Sequence, residues 1–131
     1  MKLVDLHSFV LLSGEGQLSR VLVTGVEYEV MPENQYQQII GLLNEQTLVC
    51  LSQQTIHFID LTDTLMGQSK LLGTIEHHLP ILQVNVFQSK EMQPSLLIYD
   101  SMDVLSLWEQ NLMSRSIDGE IVSRTQIREL S

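Results

Sequence analysis

With 131 residues, 44% of them hydrophobic and 18% charged, the chain has the balance of one folded domain and not of a disordered segment. A formal net charge of −9 and a pI near 4.6 exclude a basic nucleic-acid-binding face and disfavour anionic membrane surfaces. The apolar runs fall short of the roughly 20 residues that a membrane-spanning helix needs. Cys50, the single cysteine, leaves no internal disulfide, which fits a reducing cytosol.

The opening stretch, "MKLVDLHSFVLLSGEG", is interrupted by Asp5 and His7 and reads as a strand over 3–12, not as a signal peptide. "SGEGQ" (13–17) is its turn. In "RVLVTGVEYEV" (20–30), Val26, Tyr28 and Val30 alternate with Glu27 and Glu29, so one face is buried and the other solvated. Gly25 suggests a bulge or bend within that run. In the next stretch Tyr36, Ile39, Ile40 and Leu43 recur at spacings of three and four behind Pro32 and Glu33, which predicts a helix over 33–46, or a looser helical loop because Gly41 weakens the helix.

"TLVCL" and "TIHFI" are extended pieces joined by the polar "SQQ". Asp60 then caps a short helix, with Leu61 and Leu65 docking it on the core and Gly67 ending it. "QSKLLGTIEHH" reads as a linker into the alternating strand "ILQVNVF" (81–87). "SLLIYDS" and "VLSLWEQ" pair across a corner at Met102-Asp103, and a turn at Asp118-Gly119 precedes a last strand and a final helical turn. Seven or eight short strands with two brief helices imply a mainly β, antiparallel barrel or sandwich.

Sites of chemistry are few. His77 and His78 are adjacent, so in a strand they would face opposite ways and could not chelate together; they read as solvated loop residues. His7 and His57 are each single within strands and read as structural. Cys50 lies in an apolar run with no base beside it, as an inert thiol does. The pairs Asp60/Asp63 and Asp100/Asp103 sit where caps and turns need them. No phosphate-binding glycine loop or nucleophile elbow is present, so neither an enzyme nor a cofactor is expected.

The order of the pieces carries a family resemblance. A strand closing on "FIDL" passes into a short helix and a polar linker. The strand "ILQVNVF", the segment "LLIYDSMDVLSL" and the terminal "DGEIVSRTQIREL" follow. Over residues 47–130 this resembles the CheW family of chemotaxis coupling proteins. Asp60 and Leu61 match the family's Asp-Leu; Leu97, Ile98 and Asp100 match its apolar-Asp hairpin, and residues 103–107 the stretch after it. The family's Arg-Gly step falls on Ser52-Gln53 here.

The resemblance implies one domain of two small, intertwined, SH3-like five-stranded barrels, divided near residues 68–80. It implies a non-catalytic cytoplasmic adaptor joining the regulatory domain of a CheA-type histidine kinase to a chemoreceptor's cytosolic signalling tip. Leu51, Ser52, Gln53, Asp103 and Val104 are the partner-binding candidates it points to, and Asp60, Leu61, Leu65 and Gly67 form a structural corner.

Two other readings stay open. A small acidic secretion chaperone has the right size and charge, although such proteins open with a helix. A piece of β-propeller also fits, because "TLVCLSQQTIHFIDL" and "SLLIYDSMDVLSLWEQN" each read as two adjacent strands of a WD-like blade. At roughly 40–45 residues per blade the chain holds about three, too few to close a ring alone.

Overall fold

Short apolar segments separated by Gly, Asn, Asp and Ser favour hairpins, and hairpins in succession give meanders. The computed structural model describes residues 1–5, 7–62, 69–88, 94–110 and 119–126, and every regular element among them is a β-strand. The first sheet runs in order through β1 (Lys2–Leu3), β2 (Ser8–Leu12), β3 (Leu18–Leu22) and β4 (Glu27–Val30). The second holds β5 (Gln38–Asn44), β6 (Thr47–Ser52), β7 (Thr55–Asp60) and β8 (Lys70–Glu76). The third holds β9 (Ile81–Gln88), β10 (Pro94–Asp100), β11 (Val104–Gln110) and β12 (Gly119–Gln126). All pairings are antiparallel between strands adjacent in sequence.

The second sheet lies between the other two. Leu48 and Cys50 of β6 and Ile59 of β7 join Val10, Leu18 and Val30 of the first sheet in one core. Val49 and Leu51 of β6 and Ile56 and Phe58 of β7 point the opposite way, into a second core with Val84, Leu96, Ile98 and Trp108 of the third sheet. Residues 47–51 are therefore all buried, as expected of a strand covered on both faces. Phe58 and Trp108 stack in the second core with ring centroids 5.3 Å apart. The first strands of the second and third sheets approach most closely: a Cβ on Gly41 of β5 would sit 3.8 Å from Val86 of β9.

Several expectations change. The described residues form three sheets of four strands each, in place of the two five-stranded barrels expected. The helix expected over 33–46 is replaced by β5, which carries two bulges, between Ile39 and Gly41 and between Leu42 and Asn44. Each bulge inserts a residue and resets the alternation. Ile39 and Leu42 thus reach the first core while Ile40 and Leu43 reach the second, and a twice-reset period of two imitates a helical period. The expected linker over 68–78 contains β8, whose residues are exposed or half-buried at the outer edge of its sheet. Gly25, with φ of +94°, belongs to the turn between β3 and β4 and does not bend a continuous strand. The short helix after Asp60 and the final helical turn lie outside the described residues, as do Leu65 and Gly67.

Candidate interaction surfaces

One end of the stack gathers the connections between sheets and the central hairpin turns. The linker over 31–37 is tied to both neighbouring turns: Tyr36 N–H donates to Gly16 O at 2.8 Å, Gln37 N–H to Leu51 O at 2.8 Å, and Ser52 Oγ to Gln35 O at 2.9 Å. Gly16 sits at φ of +87°, and a Cβ there would press the Tyr36 carbonyl at 3.0 Å. The linker over 77–80 repeats the pattern, with His77 N–H donating to Gln54 O at 2.9 Å and Ser101 N–H to Pro80 O at 3.0 Å.

The His77 side chain locks this second linker. Its Nε2 lies 2.9 Å from Asp100 Oδ2, with both residues buried. Burial raises the Asp100 carboxyl pKa, but the bonds from His77 and from the Met102 and Val104 N–H groups outweigh it, so the group is held below the ordinary carboxylate value. The expectation of a solvated His77 is corrected here. The two rings do not face opposite ways either, since His77 and His78 lie in a linker with ring centroids 4.9 Å apart, and adjacency in sequence could not show that one ring turns inward.

The core between the first two sheets holds polar groups of its own. Arg20 of β3 is buried; its Nε donates to Ser8 Oγ at 3.1 Å, and its Nη1 donates to Leu61 O at 2.9 Å across the sheet boundary. Its Nη2 stands 3.4 Å from the half-exposed Asp5. Tyr36 Oη and His57 Nδ1 are 3.0 Å apart, and His57 pairs in register with Cys50. Burial pushes the Tyr36 hydroxyl and the Cys50 thiol each up to about 12, and lowers His57 from its ordinary value. With its thiol protonated and sealed from solvent, Cys50 is in no state to act as a nucleophile.

The five partner-binding candidates divide. Leu51 is buried in the second core, because β6 is covered on both sides. Ser52 anchors the linker through its hydroxyl, and Gln53 occupies the β6–β7 turn with φ of +57°. Asp103 lies in the β10–β11 turn at φ of +59°, accepts a hydrogen bond from the Tyr99 hydroxyl, and precedes the half-buried Val104. Ser52 and Gln53 border one cleft, of about 460 Å³, and Val104 another, of about 290 Å³. The fold does not join them into one site. At the corner, Asp60 Oδ1 accepts from Thr62 N–H at 2.9 Å, and Leu61 is buried in the first core.

Sequence reasoning missed Arg20, His77 and the two outer sheet faces. A third cleft, about 610 Å³, opens at the opposite end over Arg20, Asp5, Glu45, Gln46 and Thr62. The outer faces are broader. On the first sheet, Leu3, Phe9 and Val21 form one cross-strand row with Glu27, and Leu11 lies in the next with Ser19 and Glu29; all point away from the first core. On the third sheet, Leu97 pairs with Leu107 and Tyr99 with Leu105, all pointing away from the second core. Both faces have apolar residues on their central strands; on the third, Leu97, Tyr99, Leu105 and Leu107 are half-buried and Ser95, at the same parity, is fully buried. Among the described residues no group of three His, Cys, Asp or Glu side chains could hold a metal ion, and no helix is long and apolar enough to cross a membrane. No model of a known protein family matches the chain, and no curated protein or solved structure is significantly similar to it.

Proposed function

We propose that the chain is a non-catalytic assembly module: three consecutive blades of a β-propeller that bind other protein through their two terminal sheet faces. One observation carries this reading. The middle sheet is buried on both sides by its neighbours, while each outer sheet keeps an apolar-centred face that belongs to neither core. Successive four-stranded meanders, joined by linkers that brace the preceding hairpin turn, with the second and third meeting through their first strands, fit radial packing. Three blades fall short of a ring, so closing one requires further blades against the terminal faces.

A coupling role between a CheA-type kinase and a chemoreceptor tip draws on the order of sequence segments alone. Three separate meanders stand where that family's twin barrels would be needed, and the propeller reading is preferred for that reason. Both readings describe a scaffold that holds other proteins together.

Radial packing is tested by paired spin labels. Asn44 and Gln88 end the first strands of the second and third sheets, and Lys70 and Glu120 lie near the matching ends of the last strands; all four are exposed. Blades around an axis give a clearly shorter distance for Asn44–Gln88 than for Lys70–Glu120. Equal distances would mean a flat stack and would sink the propeller reading.

A further inference from the structure

We propose that the outer face of the first sheet docks a cationic protein segment, one whose apolar stripe is flanked by lysine or arginine. The inference rests on the assembly reading above and deepens it by naming the chemistry of one partner. The two outer faces are not alike. On the third sheet the outward side chains are half-buried around the fully buried Ser95. On the first sheet Leu3 is 62% exposed and Leu11 39%, with Phe9 and Val21 half-buried beside them. Leu3, Phe9 and Val21 share one cross-strand row and Leu11 lies in the next, so the four make a continuous apolar strip open to solvent.

Charge selects the occupant. Glu27 and Glu29 of β4 end these two rows, both are exposed, and as alternate residues of one strand they stand about 7 Å apart. Among the described strands no lysine or arginine holds an outward position on this sheet, because Lys2 and Arg20 share a row of the opposite parity with the core residue Val10. Nucleic acid and anionic lipid would meet like charge here, on a chain whose net charge is −9. A second copy would bring to this margin the same carboxylates and no cation. A segment with an apolar stripe and basic flanks covers the strip and neutralises both glutamates, its long side chains lying along the apolar surface with their charged ends at the margin. Exposed ion pairs are individually weak, so the apolar strip supplies most of the affinity and the carboxylates choose among partners.

The test is an amide-resonance titration of the 131-residue chain with an amphipathic helical peptide of leucine and lysine, and with the same peptide carrying glutamate for lysine. The lysine peptide is expected to bind, to shift the resonances of Leu3, Phe9, Leu11, Val21, Glu27 and Glu29 before others, and to bind less tightly as salt is added. The double variant Glu27→Lys, Glu29→Lys should lose about tenfold in affinity for the lysine peptide and gain affinity for the glutamate one. Leu11→Arg should weaken both, with circular dichroism unchanged. Shifts scattered over other acidic surfaces, or a charge-swapped variant that keeps its preference for lysine, would mean non-specific attraction and would overturn the proposal. So would no binding, binding by anionic vesicles alone, or concentration-dependent shifts of the same resonances without peptide, which would give the face to a second copy. The spin-label distances above do not depend on this face, so a failed titration with their order kept sinks the docking proposal alone.

Discussion

The two sheet boundaries are built from different materials. Between the first and second sheets, the core encloses the Arg20 guanidinium, the Tyr36–His57 pair and the Cys50 thiol. Between the second and third, it is aliphatic around the Phe58–Trp108 stack, and its buried His77–Asp100 hydrogen bond sits at the linker end. The first boundary is held by directed hydrogen bonds that leave costly orphans when broken; the second is held by area and fit. A scaffold with both has one joint that is most sensitive to a lost hydrogen-bond partner and one that is most sensitive to volume.

The comparison is tested most severely at Trp108. Trp108→Ala should cost about 3–5 kcal/mol through lost contacts and the cavity left against Phe58, read as a lower urea midpoint. Next comes Arg20→Met, which keeps much of the volume but leaves the Leu61 carbonyl and Ser8 hydroxyl without their donor. A loss of about 2–3 kcal/mol is expected, and a neutral result would remove the distinction between the boundaries. Gly119→Ala probes the second boundary by crowding. A Cβ there would overlap the Trp108 ring and lie 2.6 Å from the Glu109 carbonyl, so a loss of about 1–3 kcal/mol is expected, with a shift in tryptophan fluorescence.

Acidity separates the boundaries more gently. Cys50 and Tyr36 are pushed up to about 12 in the fold, whereas in the unfolded chain they ionise near their ordinary values. The stability they contribute is complete below those ordinary values and is lost as pH rises toward about 12. Urea midpoints should therefore fall above pH ~9, and Cys50→Ala and Tyr36→Phe should each flatten that decline. His57, lowered by burial, acts on the acid side: the unfolded chain takes up its proton first, so stability drops as pH falls below ~6.5. The smallest effect is expected at the corner, where Asp60→Ala removes the acceptor for Thr62 N–H and should cost about 1 kcal/mol.

The third sheet was the most legible in the sequence and the second the least, for physical reasons. Clean period-two alternation marked β9, and a polar corner between two apolar runs marked the β6–β7 and β10–β11 hairpins. The bulges of β5 erased that period and substituted a helical one. The outer-edge position of β8 left it too polar to stand out. Arg20 was overlooked because a lone arginine in a strand usually reaches solvent. Its place between Leu18 and Leu22, at inward parity, was the available signal. His77 had no such signal, since its burial depends on Asp100, 23 positions away. The outer faces were invisible for another reason: half-covered Leu and Phe residues read as core until the sheets are counted.

The double coverage of β6 has a consequence for synthesis. When residues 47–60 leave the ribosome, the partner for one side, residues 8–30, already exists, but the partner for the other, residues 81–126, has yet to be translated. Until Trp108 emerges, Val49, Leu51, Ile56 and Phe58 form a bare, strand-forming apolar ribbon of the kind that seeds aggregation. Nascent chains stalled between the second and third sheets should therefore be the species that chaperones hold.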